Sequence, residues 1–138
     1  MAYIELHSRS AFSFLEGASV PEELASRCAD YEMPAMALLD RNGFYGSPRF
    51  HLGAKKVSVR AHVGAEVASP EGWCYPLLVE SRAGYQNLCR LITQMKMRGR
   101  KAGTVPTLDV EPGFSPASAD VAPTLRSAHA GLNRLRKN

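Results

Sequence analysis

The chain has little cysteine and no long apolar run. Its 138 residues include three cysteines, an odd number without a CxxC pair, which favours reduced, buried thiols over a disulfide framework or a zinc knuckle. Its longest apolar runs, such as 35–39 and 75–79, are far shorter than the roughly 20 residues of a membrane-spanning helix. No charged and then apolar leader follows Met1, so we expect a cytoplasmic protein without a membrane partner.

The chain also lacks a strong excess of one charge. Its formal net charge of +4 comes from 17 Lys and Arg residues against 13 Asp and Glu residues. Residues 1–99 are nearly balanced, with 11 basic and 10 acidic residues, whereas residues 100–138 hold six and three. Charge alone therefore argues for no particular partner. The 45% content of hydrophobic residues is enough for one core.

Strand and helix patterns alternate over the first hundred residues. The predicted strands are 3–7, 35–39, 60–63 and 74–79, and the predicted helices are 21–31, 47–56 and 84–98. Such alternation predicts an α/β fold with a parallel sheet or barrel. The hydroxyl of Ser19, two residues before Pro21, is the expected cap of the first helix. The apolar face of that helix is predicted to comprise Leu24, Cys28 and Tyr31.

The composition changes after Gly99. Residues 100–123 are rich in Pro, Ala, Ser, Gly and Thr and show no apolar period, so they bury too little surface to offset the entropy of ordering. Residues 124–137 carry leucines at helical spacing and predict a short basic helix. We therefore divide the chain into a domain at 1–99 and a basic tail of low order at 100–138.

Three potential metal ligands follow three successive strands, namely His7, Asp40 and Glu66. The carboxyl ends of parallel strands meet at one edge of a sheet or one end of a barrel. A nitrogen ligand with two carboxylates suits zinc, manganese or iron. Each residue alone is more typical of a turn or of a hydrogen-bonded side chain, and only their joint placement indicates a site.

Several motifs resemble the start of a PHP (polymerase and histidinol phosphatase) domain. They are ELHSRSAFSFLEGA at 5–18, PAMALLDRNGFYG at 34–46 and VGAE at 63–66. YQNLCRLI at 85–92 is similar to the segment that follows in bacterial DNA polymerase III alpha subunits, and the sequence is nearest the error-prone alpha-type polymerases. The resemblance covers about residues 3–112. It implies about the first half of a TIM-like βα barrel, followed by an irregular tail.

The resemblance also implies a metal site that has lost ligands. Transferred position by position, His7, Glu16, Asp40 and Glu66 fall on ligand positions of the family. Arg9 and Arg41 stand where the family has two further histidines.

A guanidinium stays protonated and has no lone pair, so neither arginine can bind a cation. We expect the arginines to pair with Glu16, Asp40 or Glu66 and to replace the metal by salt bridges. No cofactor is expected, although a vestigial site would take zinc or manganese.

Later parts of the family pattern have no counterpart in this sequence. The closing Asp-x-His motif is absent, and beyond His62 the only histidine is His129. The aspartates that bind magnesium for nucleotidyl transfer lie outside this segment in the polymerases it resembles. We therefore expect a truncated chain, or one frameshifted after about residue 112.

The predicted function is a noncatalytic, structural part of an error-prone DNA polymerase that acts in DNA replication and repair. The chain would reach DNA only through the remainder of the polymerase alpha subunit, and no small-molecule substrate is expected. One alternative is a metal-dependent PHP phosphoesterase or 3′ to 5′ exonuclease, against which Arg9 and Arg41 argue. Another is a small basic nucleic-acid-binding module that uses Lys96, Arg98, Arg100 and Lys101.

Overall fold

A computed structural model describes residues 3–69 and 72–102 of the chain. The strands are β1 (Glu5–Ser8), β2 (Ala35–Arg41), β3 (Arg60–Ala68) and β4 (Cys74–Leu78), and the helices are α1 (Pro21–Asp30), α2 (Ser47–Lys56) and α3 (Arg82–Ala102). The predicted α/β class is confirmed. Each strand and helix predicted between residues 3 and 98 is present, and α2 has the predicted bounds.

The four strands form one curled sheet in the order β1-β2-β3-β4. β1, β2 and β3 run parallel, with α1 and α2 as the connections between them. β4 instead runs antiparallel to β3, from Gly64 opposite Leu78 to Ala68 opposite Cys74. The expectation of a wholly parallel sheet is therefore wrong for β4, because the short link from Ser69 to Trp73 is too short for a helical crossover. The backbone of Ser69 closes this turn by donating to the Trp73 carbonyl at 2.8 Å.

Helices pack on the outer face of the sheet and form two apolar clusters. Under α1 and α2, Met36 and Leu38 of β2 pack with Phe50 and other buried side chains. Under α3, Ala65 and Val67 of β3 pack with the buried side chains of that helix. We call the opposite face of the curled sheet, which these helices do not cover, the inner face. It carries polar side chains at the ends of the strands.

Two local predictions for α1 are wrong. The cap of this helix is Val20, without a side-chain hydrogen bond. The backbone carbonyl of Ser19 accepts a hydrogen bond from the Ala11 backbone at 2.8 Å. Its buried residues are Pro21, Ala25 and Cys28, whereas Tyr31 is 71% exposed. The buried face is thus rotated toward Ala25, whose methyl group would lie 3.4 Å from a Cβ added at Gly53 of α2.

The cysteines are all free thiols, as the sequence predicts, but they are not all buried. Cys28 is buried, Cys89 is half-buried and Cys74 is exposed. Cys74 lies on the outermost strand of the sheet, where only one of its flanks is covered by β3. Membership of an apolar stretch therefore does not ensure burial at a sheet edge.

The predicted tail lies almost wholly outside the described residues. α3 continues to Ala102, three residues past the boundary predicted at 99, and residues 103–138, with the short helix predicted at 124–137, are beyond the described part of the chain. Among the described helices, none is long and apolar enough to cross a membrane.

Candidate functional site

The carboxyl ends of the parallel strands bring together five polar side chains, which we call the arginine–carboxylate cluster. Its members are His7, Arg9, Glu16, Arg41 and Glu66. They come from the end of β1, the loop after it, the last residue of β2, and β3. The sequence prediction that strand ends converge on one site is met for His7 and Glu66.

Glu66 is the buried centre of this cluster, with a side chain only 1% exposed. Its Oε2 atom lies 2.6 Å from Nη2 of Arg9 and 2.6 Å from Nε2 of His7. Arg9 donates to the carboxylate, and His7 does so as well when its proton is on Nε2. A buried carboxylate without such partners would be strongly destabilising, so Arg9 is the counter-charge that this position requires.

Glu16 joins the two arginines. Its Oε2 lies 3.1 Å from Nη1 of Arg9, and its Oε1 accepts a hydrogen bond from Nη1 of Arg41. The ion pairs therefore alternate in sign along a chain from Glu66 through Arg9 and Glu16 to Arg41. This confirms the expectation that the arginines pair with the nearby acids.

Asp40 does not belong to the cluster, although it also lies at the carboxyl end of its strand. Its carboxylate is buried and accepts hydrogen bonds from the backbone of Ser10 at 2.9 Å and of Gly46 at 2.8 Å. The hydroxyls of Ser10 and Ser13 donate to it as well, at 2.8 and 2.9 Å. Asp40 thus ties the loop after β1 to the start of α2.

The register of the sheet explains this separation. Asp40 is opposite Ala65 and Arg41 is opposite Glu66 in the β2–β3 pairing. Successive side chains in a strand point to opposite faces, and paired residues of adjacent strands share a face. Arg41 and Glu66 therefore lie on the inner face, whereas Asp40 lies on the outer face with Leu38.

The cluster also sets the protonation of its members. Burial raises the pKa of the Glu66 carboxyl, but the hydrogen bonds from Arg9 and His7 outweigh burial, so this pKa lies below its usual value. The hydrogen bond to Glu66 raises the pKa of Arg9 further. Both groups are consequently charged near neutral pH.

Sequence reasoning missed four residues that shape the site. Three of them, Ser10, Ser13 and Gly46, donate hydrogen bonds to Asp40. The fourth is Asn42, which links β2 to β3. Its backbone N–H donates to the Glu66 carbonyl at 2.6 Å, and its Oδ1 accepts from the Ala68 backbone at 3.1 Å. Asn42 has φ of 54°, which asparagine tolerates better than most residues. The turn sequence after Asp40 was a usable signal, because small and amide side chains there are typical of tight loops.

Cys74 is a further neighbour of Glu66. Although Cys74 is exposed as a residue, partial desolvation raises the pKa of its thiol, and the charge of Glu66 raises this pKa further. The second oxygen of Glu66, Oε1, is buried without a hydrogen-bond partner among the described residues.

The side chains at this site do not fit the metal site that the family resemblance implies. In the described part of the chain, no group of three or more His, Cys, Asp and Glu side chains is arranged to hold a metal ion. Arg9 and Arg41 point their guanidinium groups at the carboxylates that would bind a cation, and guanidinium offers no lone pair. Asp40 is turned to the other face and already accepts several hydrogen bonds.

Several curated relatives of this chain are error-prone DNA polymerases. The enzyme of Anaeromyxobacter sp. (strain K) is 46% identical over 97 residues, which are 67% of this chain and 9% of that protein. That of Dechloromonas aromatica (strain RCB) is 40% identical over 135 residues, 86% of this chain and 13% of that protein. The Mycobacterium tuberculosis enzyme is 37% identical over 113 residues, or 75% and 10%. The chain therefore spans about a tenth of the length of these relatives.

Two solved structures resemble this chain at low sequence identity. A putative metal-dependent phosphoesterase from Bifidobacterium adolescentis is 15% identical with a TM-score of 0.48, and the match covers 71% of this chain and 35% of that one. An amidohydrolase from Chromobacterium violaceum is 23% identical with a TM-score of 0.49, covering 74% and 37%.

The family match extends over most of the chain. The model of the PHP domain matches residues 5–117, so it includes all of β1 to α3 and continues past the predicted limit at about residue 112. Together with the parallel β1-β2-β3 arrangement, this match confirms the predicted partial TIM-like barrel. The chain belongs to the PHP domain family and is homologous to a segment of error-prone DNA polymerases.

Proposed function

We propose that this chain is a noncatalytic, structural PHP domain that works as part of a larger error-prone DNA polymerase. Its partner is then the remainder of the polymerase polypeptide, which carries out DNA synthesis. The relatives support this proposal, because each is a polymerase about ten times longer than the matched segment.

The observation that carries the noncatalytic assignment is the hydrogen bond from Arg9 to the buried carboxylate of Glu66 at 2.6 Å. Phosphoesterases that use metal ions need vacant carboxylate and imidazole lone pairs directed at the cation. Here the inner-face carboxylates are neutralised by fixed guanidinium groups. Arg9 and Arg41 therefore perform the structural role of a cation, which is to hold together acids from separate parts of the chain, without its chemistry.

Metal content and phosphoesterase activity test this assignment together. The purified chain, incubated with zinc or manganese and then dialysed, is expected to retain far less than one equivalent of metal by elemental analysis. It is also expected to release no phosphate from a nitrophenyl phosphate and no nucleotides from single-stranded DNA. The variant Arg9→His, which replaces a guanidinium by an imidazole beside His7 and Glu66, is expected to retain more zinc than the wild type.

The alternative reading, a metal-dependent phosphoesterase or exonuclease, gives the opposite result. Stoichiometric zinc or manganese in the wild type, with hydrolysis that disappears on chelation and returns on metal addition, overturns the proposal. A wild type that binds metal tightly through Glu66 would also lose that metal in Glu66→Gln. The structural proposal predicts no difference in metal content between these two proteins.

A further inference from the structure

One helix accounts for the excess of basic over acidic residues in the chain. α3 contains six of the 17 Lys and Arg residues and none of the 13 Asp and Glu residues, so the rest of the chain holds 11 basic and 13 acidic residues. The chain's positive net charge therefore comes from this single helix. Such a helix favours contact with a polyanion.

One side of α3 combines this charge with aromatic rings from the loop after β2. Lys96 places Nζ 4.4 Å from the centre of the Tyr45 ring and donates a hydrogen bond to its hydroxyl. Phe44, the preceding residue, packs against Tyr85 with ring centres 5.1 Å apart. Arg82 is exposed one turn before Tyr85. We call Arg82, Tyr85, Tyr45 and Lys96 the aromatic–basic patch.

The tyrosines of this patch are held in place yet remain open to solvent. Tyr45 is 49% exposed and Tyr85 is 44% exposed. The Tyr45 ring lies so close to Gly43 that a Cβ at that glycine would be 2.5 Å from the ring atom Cε2. Ordered, exposed rings lose little conformational entropy when a planar group stacks on them.

From these observations we propose that the aromatic–basic patch binds single-stranded nucleic acid. Bases stack on Tyr45 and Tyr85, and Lys96 and Arg82 contact the phosphates. Single strands are favoured over duplexes, because only unpaired bases present their faces to exposed rings. The proposal is independent of the metal content of the arginine–carboxylate cluster. It departs from the main sequence expectation, that the chain reaches DNA only through the rest of a polymerase, and it shares Lys96 with the alternative of a small basic nucleic-acid-binding module.

Binding of a fluorescent oligodeoxythymidine to the whole chain, followed by anisotropy over a salt series, tests the charge contribution. Lys96→Gln is expected to weaken binding and to reduce the salt slope by about 0.7, the value for one phosphate contact on a single strand. The matched control is Arg90→Gln, which removes one charge from an exposed position of α3 that lies about 120° around the helix axis from Lys96. This control is expected to bind like the wild type.

Aromatic substitutions test the stacking contribution. Tyr85→Leu and Tyr45→Leu are each expected to weaken binding about tenfold, within the range for loss of one base stack. Tyr31→Leu, at an exposed tyrosine after α1, is expected to have no effect. Tyr45→Phe keeps the ring and serves as the folded counterpart of Tyr45→Leu, and circular dichroism establishes that each variant is folded.

Several results overturn the proposal. The first is an equal loss of single-strand affinity in Lys96→Gln and Arg90→Gln, and the second is wild-type affinity in both leucine variants. The others are equal affinity for a duplex of the same length and no binding of the oligonucleotide at low salt. Vesicles of anionic lipid that compete through the same residues would assign the patch to a membrane surface instead. Retained single-strand preference, with losses confined to the patch variants, supports it.

Discussion

Arg9 and Glu66 stand 57 positions apart in the sequence, and their side chains meet at 2.6 Å between Nη2 and Oε2. Arg9 follows the end of β1, and Glu66 lies within β3, two strands away in the sheet. The pair therefore spans β2 and fixes the outermost parallel strand to the centre of the sheet. Because Glu66 is almost fully buried, the pair matters more than a surface ion pair does.

Replacing Arg9 by methionine is expected to destabilise the fold by about 3 kcal/mol, the lower end of the range for breaking a buried pair, because Arg9 itself is partly exposed. The buried Glu66 carboxylate would then lose its counter-charge and keep the contact with His7. Urea unfolding followed by circular dichroism measures the change. The control is Arg49→Met, which removes an exposed pair with Glu22 and is expected to destabilise the fold far less than Arg9→Met, because exposed ion pairs contribute little. Equal losses in the two variants would contradict the role assigned to Arg9.

The same pair predicts how stability depends on pH. The pKa of Glu66 in the folded chain lies below its ordinary value of 4.5, so its contribution to stability is present above pH 4.5 and is lost as the pH falls through the lowered pKa. Without Arg9, burial raises the pKa of Glu66 instead. The defect of Arg9→Met relative to the wild type is therefore expected to shrink as unfolding is measured at progressively lower pH. A defect that stays constant from neutral pH to acid would contradict the assignment.

Sequence patterns predicted the elements of the fold better than their pairing. The apolar run at 35–39 identified β2 because a strand covered on both faces needs no polar alternation, and Ser47-Pro48 marked the start of α2. The direction of β4 was not encoded in any periodicity. It follows from the length of the 69–73 link, which allows a hairpin and not a crossover.

The site, too, was predicted only in part, because the register between strands decides which side chains meet. The convergence of His7 and Glu66 follows from the general geometry of parallel strands. The exclusion of Asp40 follows from the register, since Arg41 and not Asp40 is opposite Glu66. Alternation along β2 places the side chains of Asp40 and Arg41 on opposite faces of the sheet. The pairing of β2 with β3 then determines which of these two residues points toward the cluster.

Gly46 is expected to resist substitution because of its contact with Asp40. A Cβ at this position would lie 2.6 Å from Oδ2 of Asp40 and 2.7 Å from Oγ of Ser10. Both atoms belong to the buried network that holds the loop after β1, so Gly46→Ala is expected to cost about 2 kcal/mol through overpacking. At Gly84 in α3 a Cβ would meet only Ser81 Oγ, at 3.5 Å, and Gly84→Ala is expected to stabilise by up to about 1 kcal/mol. Thermal unfolding of the two variants should shift in opposite directions, and a shift of the same sign in both would contradict this account.

The free edge of the sheet predicts association between copies of the chain. β1 is an outer strand among the described residues, and its Leu6 is 49% exposed, as is, at 42%, Ile4 just before the strand. An outer strand with exposed apolar side chains is a template for pairing with another chain. Leu6→Lys is expected to reduce the apparent mass in sedimentation or light scattering toward that of a monomer. Leu52→Lys, at an exposed leucine of α2, should leave the mass unchanged, because a helix face offers no unpaired backbone groups. A wild type that sediments as a monomer at high concentration would show that this edge does not pair, since the mass-action drive to associate is greatest there.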